Sequence, residues 1–281
     1  MMYETTLIWQ QIAKTWEEYF SPPSRPSKDE VLQYNKWLKG IKGKNLKGLV
    51  LGATPELRDA LFENGFESYL IDINMGMIMA MGGLLKNPNP QEVIVKSNWL
   101  NNPLQDKYFD VILGDAVMPN VLWEKREEFL KEIKRMLKPK GYFLNRAFYV
   151  PEKKPYKKIE ELLESFANKK ASNKTALEMV FEIQIFTHTN KDYQGSNEKV
   201  YEVVEKLRGK DGFNYKSKEL NKTLDIVWNY WLTTARKKVW LYNYQKQEEA
   251  EYKKYFKIIK RFNATDHPYG KLTSMYLMQR K

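Results

Sequence analysis

The segment from Leu46 to Asp72 limits the fold more tightly than any other part of the chain. Leu46-Lys47-Gly48-Leu49-Val50-Leu51 is a short apolar run that stops at Gly52, and Ala53-Thr54-Pro55-Glu56-Leu57-Arg58 reads as the opening of a helix. Thr54 suits the N-cap and Pro55 the first helical position, and Glu56 lies where the helix dipole favours an anion. A second apolar run, Tyr69-Leu70-Ile71, ends in Asp72, about twenty residues after Gly52. Strand, glycine turn, helix and acid-ended strand at this spacing make a βαβ unit of the nucleotide-binding kind. The glycine lets a ligand approach the backbone, the helix start offers unpaired N–H groups, and the carboxylate can accept from two ribose hydroxyls.

The remaining chain is long enough to build on that unit. Its 281 residues suffice for one α/β domain or somewhat more, and 42% hydrophobic with 29% charged residues is ordinary for a globular protein. There is no cysteine, which excludes disulfides, thiolate zinc sites and cysteine nucleophiles. Met1 to Trp16 does not have the form of a signal peptide, and no uncharged apolar run of about 18 residues exists. A cytoplasmic protein without a membrane partner is expected. The net charge of +12 admits an acidic partner, but the lysines are interspersed with glutamates, as in Glu152-Lys153-Lys154. That pattern favours a solvated surface over a nucleic-acid interface.

Periodicity gives the element order. Ile8, Trp9, Ile12, Trp16 and Tyr19 predict a helix over Thr6 to Phe20, and Ser27-x-x-Glu30 is a capping box opening a second helix that stops near Gly40. Strands are expected over 47–51, 67–72, 92–96, 109–114 and 141–149, with helices over 55–64, 74–85 and 123–137 between them. This alternation predicts a mostly parallel sheet with helices on both faces. After Val150 the pattern turns helical. Thr175-x-x-Glu178 reads as another capping box, and 197–208 as a helix. A long helix from about 218 carries Leu224, Val227, Trp228, Trp231, Leu232 and Ala235 as a core stripe. Tyr255 to Asn263 and Leu272 to Gln279 then read as two strands around a polar turn. The expected domains are 1–45 as an N-terminal helical segment, 46–150 with 253–281 as the core, and 151–252 as a helical insertion.

Taken together, these residues resemble the class I S-adenosylmethionine-dependent methyltransferases. Leu49 to Thr54 lies where that family has its glycine motif, and Asp72 at its second-strand acid. Ser97-Asn98-Trp99-Leu100 follows the third strand, and Phe109 to Asp115 is similar to the fourth. Met136-Leu137-Lys138-Pro139-Lys140-Gly141-Tyr142 is similar to its turn into strand five. The chain departs from the family pattern at Val50, Thr54 and Glu56 in the glycine motif, and at Asn98, where an acid is usual.

The resemblance implies a Rossmann-like methyltransferase sheet with a C-terminal antiparallel hairpin, and S-adenosylmethionine as cofactor. It implies that Gly52, Ala53 and Thr54 line the methionine part, Asp72 takes the ribose hydroxyls with Ile73 beside it, and Asn98 and Trp99 bracket the adenine. Asp115 and Ala116 would face the methyl group or the acceptor. His267, in the turn between the last two strands, is the weak candidate for a general base, against the plainer reading of a solvated turn histidine. His188 reads as a partner for a helix C-terminus. No metal-ligand cluster is evident. The expected acceptor is a small molecule in a pocket shaped by the helical insertion. An RNA or protein methyltransferase and a non-catalytic binding scaffold are the alternatives, and a nicotinamide dehydrogenase would need glycines this turn lacks.

Overall fold

The structure is a computed structural model that describes residues 11–188, 194–234 and 239–281. In chain order its principal elements are α1 (Trp16–Tyr19), α2 (Lys28–Gly40), β1 (Lys47–Leu51), α3 (Pro55–Glu63), β2 (Glu67–Asp72), α4 (Met75–Gly82), β3 (Val93–Lys96), β4 (Phe109–Asp115), α5 (Arg126–Met136) and β5 (Leu137–Arg146). They continue as α6 (Ile159–Phe166), α7 (Asn173–Thr187), β6 (Gln194–Ser196), α8 (Asn197–Leu207), α9 (Lys218–Ile226), β7 (Val239–Leu241), α10 (Gln245–Tyr255), β8 (Phe256–Phe262) and β9 (Met275–Arg280). Of the helix expected over Thr6 to Phe20, Ile8 and Trp9 lie outside the described residues, as does Ala235 of the later stripe.

The chain forms two compact units. The sheet unit holds residues 11–14, 22–149 and 243–281; the helical unit holds 15–21 and 150–242. Residues 22–45, set apart in the sequence reading, thus belong with the sheet, and the later boundary falls at Tyr242/Asn243, ten residues before the expected one.

Seven strands of the sheet unit run in the order β3-β2-β1-β4-β5-β9-β8. β1 pairs in parallel with β2 and β4, β2 with β3, and β4 with β5, whereas β9 is antiparallel to both β5 and β8. The Rossmann-like methyltransferase sheet with a C-terminal antiparallel pair is therefore present. β1 reads as a nearly continuous apolar run because helices cover both faces: Leu49, Val50 and Leu51 are at most 1% exposed. β5 begins at Leu137 rather than at 141. Leu137 already pairs with Phe109, and the next pair is Val111 with Tyr142, so Lys138 to Gly141 makes an irregular excursion with Lys140 at φ 65°. It also ends at Arg146 rather than 149. Beyond it, Ala147 and Tyr149 donate N–H bonds to Ser274 and Leu272 carbonyls outside the regular ladder.

The helical unit is centred on α7, whose Leu177, Val180, Phe181 and Ile185 are buried. Its N-cap is Ser172, which accepts from the Thr175 N–H at 3.1 Å; Thr175, expected to be the cap, sits inside the first turn. The stripe of α9 continues through a π-helical turn, Val227–Trp231. Leu224, Val227, Trp231 and Leu232 are buried core as expected. The extra residue of the π turn shifts the helical phase, and Trp228 is half-buried and stacked on Tyr201 at a centroid distance of 5.1 Å. A two-stranded antiparallel pair, β6 with β7, was not foreseen.

Candidate functional site

The βαβ unit delivers its functional residues to the carboxyl edge of the sheet. Gly52 ends β1 at φ +90°, in the left-handed region that favours glycine. Its N–H donates to the Ile71 carbonyl at 2.9 Å, which ties the turn to β2. A Cβ at Gly52 would lie 3.8 Å from Trp99 Cζ2 and 3.9 Å from Asp72 Oδ2, so the three residues meet around one small space. Trp99 is fixed there by its indole N–H, which donates to Ile71 O at 3.0 Å, and by packing on Phe129. Asp72 Oδ1 accepts from the Asn74 N–H at 2.7 Å, while Asn74 is the cap of α4. Asp72 and Asn74 thus share the turn into α4, and the other carboxylate oxygen of Asp72 lies toward the glycine.

The other expected cofactor residues are placed less uniformly. Ala53 is buried, and Thr54 stands at the N-cap of α3 without a side-chain capping bond. Ile73 is 57% exposed, an apolar side chain left open beside Asp72. Asn98 accepts from the Leu100 N–H at 3.0 Å, so its side-chain oxygen serves a local turn.

Asp115 and His267 belong to a different group, a buried ionic network that the sequence did not reveal. Arg146, at the end of β5 and 1% exposed, donates from Nε to Asp115 Oδ1 at 2.5 Å and from Nη1 to the Pro23 carbonyl at 3.0 Å. Its Nη1 also lies 3.4 Å from Glu30 Oε2. Glu30 completes the predicted capping box, accepting from the Ser27 N–H at 2.7 Å, and also accepts from Thr273 Oγ1 at 2.8 Å. His267 Nε2 is 3.5 Å from Glu30 Oε1. Burial pushes the Glu30 carboxyl upward, but Arg146, with His267, Ser27 and Thr273, outweighs it and holds the group at about 2. Burial raises Asp115, and Arg146 acts against that rise. The expected solvated turn histidine is thus corrected: His267 is buried with no surface face for its ring nitrogens, because the turn folds back onto α2. Tyr34 adds a hydrogen bond from α2 to the Gly114 carbonyl at 2.7 Å. Ala116, at φ 48°, donates its N–H to Arg146 O. The signal for this network was an arginine at the end of β5, directly after the apolar run Tyr142-Phe143-Leu144 and Asn145.

The opposite face of β5 carries a second polar cluster. Asn145 Nδ2 donates to Tyr252 OH at 2.9 Å, and Tyr252 donates to Glu248 Oε1 at 2.5 Å, all three side chains being fully buried. Glu248 Oε2 has no hydrogen-bond partner. Burial raises the Glu248 carboxyl to about 7, against the opposing charge of Arg126.

Among the described residues, no group of three or more His, Asp or Glu side chains could hold a metal ion, and no helix is long and apolar enough to cross a membrane.

Comparison with known proteins agrees with this geometry. A family model described as a methyltransferase domain matches residues 51–145. No curated protein sequence matches the chain. Similar solved structures include a Rhodobacter sphaeroides protein provisionally assigned as a zinc-dependent alcohol dehydrogenase, at 14% identity and TM-score 0.58, covering 99% of this chain and 98% of that one. The PH0226 protein of Pyrococcus horikoshii is 14% identical at TM-score 0.53, covering 94% and 95%. The 1,6-didemethyltoxoflavin-N1-methyltransferase of Burkholderia thailandensis is 11% identical at TM-score 0.52, covering 99% and 88%. At these identities the shared property is the fold. The domain match lies on residues 51–145, which carry the glycine turn, β2 and β4, and the sheet order is that of the Rossmann-like methyltransferase fold.

Proposed function

We propose that the protein methylates a small-molecule acceptor, and that Gly52, Asp72 and Trp99 form the centre of its cofactor site. The meeting of these three residues at the carboxyl edge of β1 and β2 carries the reading. Ligands of open α/β sheets bind outside that edge. Asp72 accepts from the ribose hydroxyls, Ile73 and Trp99 offer apolar surface to the adenine, and the Gly52–Thr54 backbone lines the methionine part. Bound there, S-adenosylmethionine supplies a methyl group already activated on sulfur. The protein's task is then to align an acceptor atom and exclude water. His267 is bound up with Glu30 and is not proposed as the base.

Two observations support a small acceptor. The chain carries a helical unit, residues 150–242, between β5 and α10 in sequence, an insertion of the size that a small-molecule enzyme uses for acceptor selection. The Burkholderia neighbour is known with 1,6-didemethyltoxoflavin bound. Against an RNA partner, lysines of exposed helices are paired with carboxylates three or four residues along, such as Lys131 with Glu127 and Lys222 with Glu219. Calorimetry with S-adenosylhomocysteine tests the cofactor site. Asp72→Ala is expected to weaken binding about tenfold or more, through loss of charge-assisted hydrogen bonds. Unchanged affinity would move the ribose elsewhere, and no heat from the folded wild-type protein would end the reading.

A further inference from the structure

The resemblance leaves one gap, an acid for the ammonium of the methionine moiety, since Val50 occupies the expected place and is 0% exposed in the core. Another acid stands nearby. Glu56 is the second residue of α3, immediately after the glycine turn. Arg25, from the loop before α2, donates from Nε to Glu56 Oε1 at 2.7 Å and reaches the same oxygen through its terminal nitrogen at 2.5 Å. Both contacts fall on one oxygen. Glu56 Oε2 is buried and has no hydrogen-bond partner.

A buried carboxylate oxygen without a donor is an uncommon state in a folded protein. Here it lies beside a guanidinium and beside the first N–H groups of a helix, which attract a carboxylate. A half-used anion, a cation and a helix start in one place complement a zwitterion, the α-amino-acid group. We propose that Glu56 and Arg25 form the subsite for the amino-acid end of the cofactor, with Glu56 Oε2 accepting from the ammonium and Arg25 facing the carboxylate. Glu56, a departure from the glycine motif that the chain resembles, then takes over the task that Val50 cannot perform. This assignment rests on the cofactor reading above.

The test compares two ligands that differ only at that end. S-adenosylhomocysteine carries the amino-acid group; 5′-methylthioadenosine keeps the adenosine and the thioether but lacks it. Calorimetric affinities are measured for the wild-type protein, Glu56→Gln and Arg25→Gln. Each variant is expected to lose about tenfold or more in affinity for S-adenosylhomocysteine, from charge-assisted bonds, and to bind 5′-methylthioadenosine as the wild type does. Unchanged affinity for S-adenosylhomocysteine in both variants overturns the assignment, as does equal weakening toward both ligands, which marks a structural role. A wild-type protein that binds the two equally tightly also overturns it while leaving the cofactor reading intact. One that binds neither removes both.

Discussion

Asn145 and Arg146 are neighbours in β5, yet the carboxyls that meet them on the two faces of the sheet are shifted in opposite directions. Glu30, on the Arg146 side, and Glu248, on the Asn145 side, are both 0% exposed. Glu30 has a guanidinium, a backbone N–H and a hydroxyl around it, and stays ionised down to about 2. Glu248 is reached by the Tyr252 hydroxyl on one oxygen, has nothing on the other, and is pushed up to about 7. Burial is the largest single influence on each carboxyl and drives both the same way. The number and charge of the surrounding donors decide the outcome. The first cluster fastens α2 and the β8–β9 turn to the carboxyl edge as an ionic clamp. The second fills the interior between β5 and α10 with a hydrogen-bond chain ending on a carboxyl that gives up its proton only near neutral pH.

The sharpest way to break this contrast is to remove the cation. Arg146→Met strands Glu30 and Asp115 as buried acids, and a loss of about 3–5 kcal/mol in urea denaturation is expected. The two carboxyls should next show pH dependences of opposite sign. Glu30 falls from 4.5 to about 2 on folding, so its contribution is present above 4.5 and is lost as pH drops toward 2. Glu248 rises from 4.5 to about 7, so the unfolded chain releases its proton first and stability declines as pH rises from 4.5 to 7. Each arm is on the order of 3 kcal/mol. Stability measured across pH should lose its acid arm in Glu30→Gln and its neutral arm in Glu248→Gln, with the latter variant more stable than wild type at pH 8. The same sign for both variants would show that the two faces do not differ as described. Smallest is Tyr34→Phe, which deletes one buried hydrogen bond to Gly114 O and should lower stability by about 1 kcal/mol in the same assay.

Local patterns carried the fold well. β1 and β2 occupy the residues read from their apolar runs, because short buried strands bounded by a glycine turn and an acid leave little room for another register. Where two signals competed locally the reading missed: Ser172 outcompeted Thr175 as a cap, and pairing of Leu137 with Phe109 drew β5 back before its turn. The site was legible in part. Gly52, Asp72 and Trp99 come together because βα alternation alone sends strand ends to one edge. The ionic clamp was not legible, since it joins residues distant in sequence, such as Glu30 and Thr273, 243 positions apart. Glu30 was readable as a cap but not as an ion partner, and His267 looked like a surface residue for the same reason.

The place of β9 has a consequence for how the chain matures. Although it is the last strand in sequence, β9 lies inside the sheet, with β5 on one side and β8 on the other. During synthesis β5 must therefore wait, with one flank unpaired, while the whole helical unit and then β8 emerge. Long-range pairing of this kind is slow and leaves an open strand edge for a time. Nascent chains stalled before Met275 are expected to hold a folded β3-β2-β1-β4-β5 platform that recruits chaperones, and release of β9 is the step that seals it.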